Sequence, residues 1–184
     1  MAMRKFIRKF LPDHETVGRQ RWFKPFGSWL RHPNLWHLHR RSVAGGVAAG
    51  LFGGLIPGPL QMITAALLAV LFRVNLPVAL FTTLFTNPFT ILPLYVVAYE
   101  IGAWVSGVKN GAAVAQLSLP EVHWDSWMSE LWDWLLMLGE PIMIGLPLLA
   151  VSLAIIGYVG VRIAWRIAVV LRWRARKRRR EILL

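Results

Sequence analysis

From position 43 to position 72 the chain runs thirty residues without a charged side chain. A straight helix of that length would measure about 45 Å, against a hydrocarbon thickness of roughly 30 Å. Gly53, Gly54, Pro57, Gly58 and Pro59 fall in its middle. Proline removes a backbone donor and crowds the preceding turn, so the run divides into residues 43–56, a Pro-Gly-Pro turn and residues 60–72. Ser42 is placed to cap the first helix. Each half is too short to span a bilayer upright, and two readings stay open: a re-entrant hairpin, or one discontinuous helix.

Arg73 and Asn75 interrupt the apolar pattern, and residues 74–99 are again uncharged. Breaks are expected at Asn87-Pro88 and at Pro93, with Thr82, Thr83, Thr86, Asn87 and Thr90 clustered beside them. A helix over residues 89–108 would carry Glu100. Residues 120–138 follow a different rule: Trp124, Trp127, Met128, Leu131, Leu135 and Leu138 recur at helical spacing with acids on other faces, the pattern of an amphipathic interfacial helix or a lid. Gly139, Glu140 and Pro141 then lead into an uncharged run over residues 142–161, long enough to cross a membrane, after which Arg162 and Arg166 begin a basic continuation.

Composition makes lipid the solvent. Of 184 residues, 56% are hydrophobic and 16% charged, whereas soluble domains carry about 25% charged residues. The net charge of +12 sits at the two ends: apart from Arg73 and Lys109, every basic residue lies at or before Arg41 or at or after Arg162. Glu121, Asp125, Glu130, Asp133 and Glu140 share one stretch without a basic residue. This asymmetry predicts cytoplasmic ends and an external acidic loop.

The expected architecture is an all-α integral membrane protein, a small bundle with discontinuous or re-entrant helices plus an amphipathic interfacial helix, both termini being cytoplasmic. Residues 1–41 form a basic, aromatic arm suited to the headgroup layer. Residues 42–171 form the membrane domain, with broken or re-entrant helices over 42–72, a broken crossing over 76–108, the outer helix over 120–138 and a crossing helix over 141–171. Residues 172–184 form a basic tail. Three crossings before the acidic loop are the competing topology, and the side on which Arg73 lies separates the two.

Helix breaks inside a membrane leave backbone groups that must be buried in protein or face a wet cavity. Transporters often build binding sites there. Pro57, Gly58, Pro59, Pro88 and Pro93 are the expected breaks, and Arg73, Gln61, Thr64, Asn75, Asn87, Thr90, Glu100 and Glu140 are the candidate ligand-binding residues. A structural reading stands beside the functional one. Gly45, Gly46, Gly50 and Gly54 suit close helix packing, Glu140 suits a helix start, and Arg73 suits an interface. No cysteine is present, and the spacing of His32, His37 and His39 matches no metal site, so neither a metal nor another cofactor is expected. No phosphate-binding loop or nucleophile signature marks an enzyme. A basic, aromatic arm beside a transmembrane run points to anionic lipid, not nucleic acid.

Several motifs occur in order: Pro33-Asn34-Leu35-Trp36, Arg40-Arg41-Ser42-Val43-Ala44, Gly50-Leu51-Phe52, residues 56–62 (Ile-Pro-Gly-Pro-Leu-Gln-Met), residues 72–77 (Phe-Arg-Val-Asn-Leu-Pro), Thr86-Asn87-Pro88 and Gly139-Glu140-Pro141. Together they resemble the bacterial family catalogued as domain of unknown function 2062. The resemblance implies a small inner-membrane protein and brings no functional residues with it. Some relatives look fused to glycosyltransferases or lie near envelope-lipid genes, which tilts the expectation toward handling or translocating an anionic lipid or polyprenyl-phosphate carrier. The alternative is a non-catalytic scaffold or anchor for envelope-biogenesis proteins. So short a bundle would enclose a pathway more easily as a homodimer.

Overall fold

The computed structural model describes residues 32–58, 60–107 and 127–181. Most of the basic arm, Pro59, the first part of the expected outer helix and the last three residues lie outside the described residues.

After a short 3-10 turn at Pro33–Leu35, the described residues form six α-helices: α1 (Arg40–Gly54), α2 (Leu60–Leu71), α3 (Leu76–Thr83), α4 (Pro88–Ser106), α5 (Trp127–Met137) and α6 (Gly139–Glu181). The run over residues 43–72 is therefore two helices, and they fold back on one another, with Gly53 of α1 against Ala65 of α2. At 15 and 12 residues they measure about 22 and 18 Å, short of a bilayer. The following region breaks between α3 and α4, as the Asn87-Pro88 pair predicts.

Two local expectations need correction. Ser42 does not cap α1, because the helix already starts at Arg40 with His39 at the N-cap position. The Ser42 hydroxyl instead turns back and donates to Asn34 O at 2.6 Å, tying the 3-10 turn to the helix. Nor does Pro93 break the chain; it lies inside α4 and is exposed. Proline there forfeits one ladder bond, to the carbonyl of Phe89 in the first turn. The Asn87 capping box holds that turn together from outside. Gly107 closes α4 and Gly139 joins α5 to α6, each at a positive φ that glycine adopts without steric cost.

Helix α1 is the hub. One side packs on α2 and α3, another on α6, and α6 also packs on α4. The approach is close because the facing residues are small. A Cβ on Gly46 or Gly50 would collide with the backbone oxygens of Asn75 or Ala79 in α3. In the α4/α6 crossing, Gly102 faces Pro141 O and Gly145 faces Ala98 O in the same way. The glycines flagged in the sequence thus serve packing, as small residues do between membrane helices.

The contacts also fix direction. Gly157 of α6 meets Val47 and Leu51, while Leu55 shares a core with Leu149 and Ala150, so α6 runs antiparallel to α1. It is antiparallel to α4 too, since Gly145 faces Ala98 and Pro141 faces Gly102. Helix α4 consequently continues in the direction in which α1 was heading, and the α2/α3 pair is inserted where they would have joined.

Among the described residues two helices are long and apolar enough to cross a membrane, over Phe89–Ser106 and Gly139–Arg174, and both leave most of that surface uncovered by protein. Phe89 and Trp104, on α4, are 89% and 85% exposed. The fold is that of a helical membrane protein. Within α6, Glu140 and Arg162 bracket an uncharged stretch of about 30 Å, the hydrocarbon thickness.

Candidate functional site

A helix ends with carbonyls that have no partner of their own. The end of α1 meets this requirement through one side chain from the α3/α4 break and one from within α4. The Thr86 hydroxyl lies 2.7 Å from Gly54 O, 2.8 Å from Gln61 Oε1 and 2.9 Å from Thr83 O, and the Tyr95 hydroxyl donates to Leu55 O at 2.8 Å. Thr86 is buried and Gln61 half-buried. The break after α1 and the break before α4 are therefore one polar junction, surrounded by exposed Leu60, Met62, Ile63, Leu84 and Phe89.

Asn87 and Thr90 bond instead within the turn that starts α4. Asn87 Oδ1 accepts the N–H groups of Phe89 and Thr90 at 2.9 and 3.0 Å, and Thr90 Oγ1 donates to Phe85 O at 2.7 Å. Thr64 is half-buried one turn beyond Leu60 on α2.

Arg73 and Asn75 are at the other end of α1. Asn75 is fully buried: its N–H donates to Ser42 O at 3.1 Å, its side chain accepts from Val78 N at 3.0 Å, and its amide reaches His37 O at 3.5 Å. Asn75 thus starts α3 and pins the α2/α3 turn to the beginning of α1. Arg73 sits in that turn at φ 52°. Val74 N donates to Ala69 O at 2.9 Å and Arg73 N to Val70 O at 3.1 Å, the paired bonds of a Schellman cap in which the left-handed residue is usually glycine. The guanidinium carrier is exposed, as are Arg40 and Arg41 at the start of α1. The antiparallel register brings Arg162 of α6 to the same end.

Below Arg73, α2 buries Ala65 and Ala69 against α1 and presents Ile63, Leu67 and Leu71 outward, followed by exposed Phe72. A cation thus stands at the top of an uncovered apolar strip. Glu100 and Glu140 are both exposed and lie toward the α4/α6 end remote from Arg73, Glu140 in the first turn of α6 where an acid favours the helix dipole.

The eight candidate ligand-binding residues therefore divide. Gln61 joins the break junction through Thr86, while Asn87 and Thr90 bond only within the turn that starts α4 and Thr64 lies on α2; Arg73 and Asn75 share the basic end; Glu100 and Glu140 are near neither. Tyr95 was not among the candidates. Its signal was available: a tyrosine in an uncharged membrane helix has a hydroxyl that needs a partner.

The ordered motifs and the helix pattern agree with one family. The profile of that family, described as an uncharacterized protein conserved in bacteria (DUF2062), matches residues 23–174. The chain belongs to the DUF2062 family. The match takes in every helix from α1 to α5 and α6 as far as Arg174, so the junction and the basic end are both inside the DUF2062 region. Neither the curated proteins nor the solved structures contain a match.

Proposed function

We propose that the protein handles an anionic lipid in the bacterial inner membrane, with its phosphate held at Arg73 and its acyl chains laid along the outward face of α2. The observation that carries this reading is the placement of Arg73. It tops the apolar strip of Ile63, Leu67 and Leu71 in a left-handed turn, exposed, at the same end of the molecule as the exposed Arg40 and Arg41. Guanidinium binds phosphate oxygens in a bidentate fork, and basic residues at a membrane surface attract anionic headgroups. The basic end is the cytoplasmic one under the positive-inside rule. In this arrangement α1 enters the bilayer from the cytoplasm and α2 returns before crossing it, α3 enters again alongside α1 and α4 completes that crossing, and α6 crosses back.

The test is mass spectrometry of lipids retained when the protein is extracted with its surrounding bilayer. One phosphate-bearing lipid is expected to be enriched over bulk membrane in the wild type and to fall to the bulk level in Arg73→Gln. Bulk composition in both would reject the reading. A scaffold role is favoured by a different observation: α6 continues as helix to Glu181, with Arg172, Arg174 and Arg176 exposed. Under that reading, cellular function follows truncation after Leu171 and is indifferent to Arg73→Gln.

A further inference from the structure

Side chains on an α-helix lean toward its N-terminus. Helix α6 runs from the acidic end to the basic end, so at its cytoplasmic boundary this direction points back into the bilayer. Arg162 follows it. Its guanidinium carbon stands 5.6 Å from the centroid of the Tyr158 ring, one turn deeper, and Nη1 donates to the Tyr158 hydroxyl at 3.4 Å. The charge is thus turned away from the cytoplasm instead of snorkelling out to it. Both side chains are half-buried. Gly157 meets Val47 and Leu51, so Arg162, further along α6, falls beside the first turns of α1, where Arg40 and Arg41 are exposed. Among the described residues Arg162 makes no ion pair. Glu100, Glu130, Asp133 and Glu140 lie toward the other end, and Glu181 is nineteen residues further along α6. A guanidinium at such depth calls for an anion, and tyrosine supplies only a ring face and a neutral oxygen.

We propose that Arg162 and Tyr158 together bind the phosphate of an anionic lipid, at a second site across α1 from Arg73. Tyr158 engages one Nη of the guanidinium, and the remaining donors form a fork that takes two phosphate oxygens. Because the Tyr158 hydroxyl accepts from Arg162, its own proton is free for the same anion. Arg166, one turn further and exposed, adds a second cation at the level of the headgroups. The surface beneath makes the ligand a lipid. Ile155 and Val151 precede Arg162 by seven and eleven residues, so they continue its face into the hydrocarbon, and both are exposed. A cation above an uncovered apolar strip is the pattern already seen at Arg73. Helices α2 and α3 pack on a different side of α1 from α6, so the two sites are separate and this one does not rest on the reading of Arg73.

The test is native mass spectrometry of the full-length protein released from detergent, titrated with short-chain phosphatidylglycerol and, as the zwitterionic control, phosphatidylcholine. Saturable binding is expected with phosphatidylglycerol alone. Arg162→Gln is expected to weaken one saturable site by about tenfold or more, the loss of charge-assisted hydrogen bonds. Tyr158→Phe keeps the ring and removes the hydroxyl, so it weakens the same site severalfold; it carries the test by itself if Arg162→Gln fails to fold. Arg73→Gln leaves this site at wild-type affinity. Wild-type binding in both Arg162→Gln and Tyr158→Phe overturns the proposal, as does equal binding of phosphatidylcholine. Displacement of the lipid by an equal concentration of inorganic phosphate would assign the site to the free anion and overturn the lipid. Binding lost in Arg73→Gln alone would refute this site and leave the other standing, whereas binding lost in Arg162→Gln alone would do the reverse.

Discussion

Arg73 and Thr86 solve the same backbone problem at opposite ends of α1, namely how the last carbonyls of a helix find donors. At Thr86 a hydroxyl from the next break reaches the last carbonyl of α1. At Arg73 the chain itself turns left-handed, so that N–H groups 73 and 74 return to the carbonyls of Val70 and Ala69. A left-handed conformation costs an L-residue roughly 1–2 kcal/mol, which glycine avoids. Arginine in place of glycine is thus a side chain retained against a backbone penalty, consistent with a task for the guanidinium. Comparing two variants that both lose the guanidinium isolates the backbone term. Arg73→Gly is expected to exceed Arg73→Ala in unfolding stability by about 1 kcal/mol, the reverse of their order in a helix interior. Denaturation of both in the same detergent measures it. Equal stabilities would show that the turn relaxes and the penalty is not stored there.

Among elements, the close crossings depend on what is missing from the glycines. In the α4/α6 crossing, a Cβ on Gly145 would collide with Ala98 O, which is backbone and cannot swing aside. Gly160, four turns further along α6, has nothing within 4 Å of the same added atom. Gly145→Ala is therefore expected to cost about 1–3 kcal/mol or more, while Gly160→Ala gains roughly 0.5–1 kcal/mol through helix propensity. Unfolding of the two variants against wild type checks both signs. These crossings show what was readable in advance. The breaks around Pro57 and Gly58 and at Asn87-Pro88 were legible because Gly and Pro act locally, although α1 ends at Gly54, two residues earlier than expected, and so was the packing use of Gly46, Gly50 and Gly54. Pro93 was misread because a lone proline near a well-capped helix start loses only one bond. Ser42 was misread because its hydroxyl bonds Asn34, eight residues back, a contact that depends on the preceding turn and not on helix pattern.

At the scale of the molecule, the sequence offered one undivided set of polar candidates, and the fold separates them by about the length of α1. That division could not be read from spacing. Gln61 and Thr86 are 25 residues apart and bonded, while Gln61 and Arg73 share a neighbourhood in sequence and lie at opposite ends of α2. Chain reversal decides it: α2 climbs back to the level at which α1 began, so Arg73 rejoins Arg40 and Arg41. The same reversal makes a topological prediction. With α1 and α2 at about 22 and 18 Å, too short for a crossing near 30 Å, Arg73 must emerge on the side that α1 entered. Helix α4 then carries Trp104 to the opposite side, and α6 returns Arg176 to the first. The chain contains no cysteine, so Arg73→Cys, Trp104→Cys and Arg176→Cys each provide one thiol in a blank background. A membrane-impermeant maleimide applied to oriented vesicles is expected to label positions 73 and 176 from the cytoplasmic face and position 104 from the other. Labelling of positions 73 and 104 from a common side would instead require the α1/α2 pair to span the bilayer, and would move the basic turn away from the leaflet in which the proposed lipid site must lie.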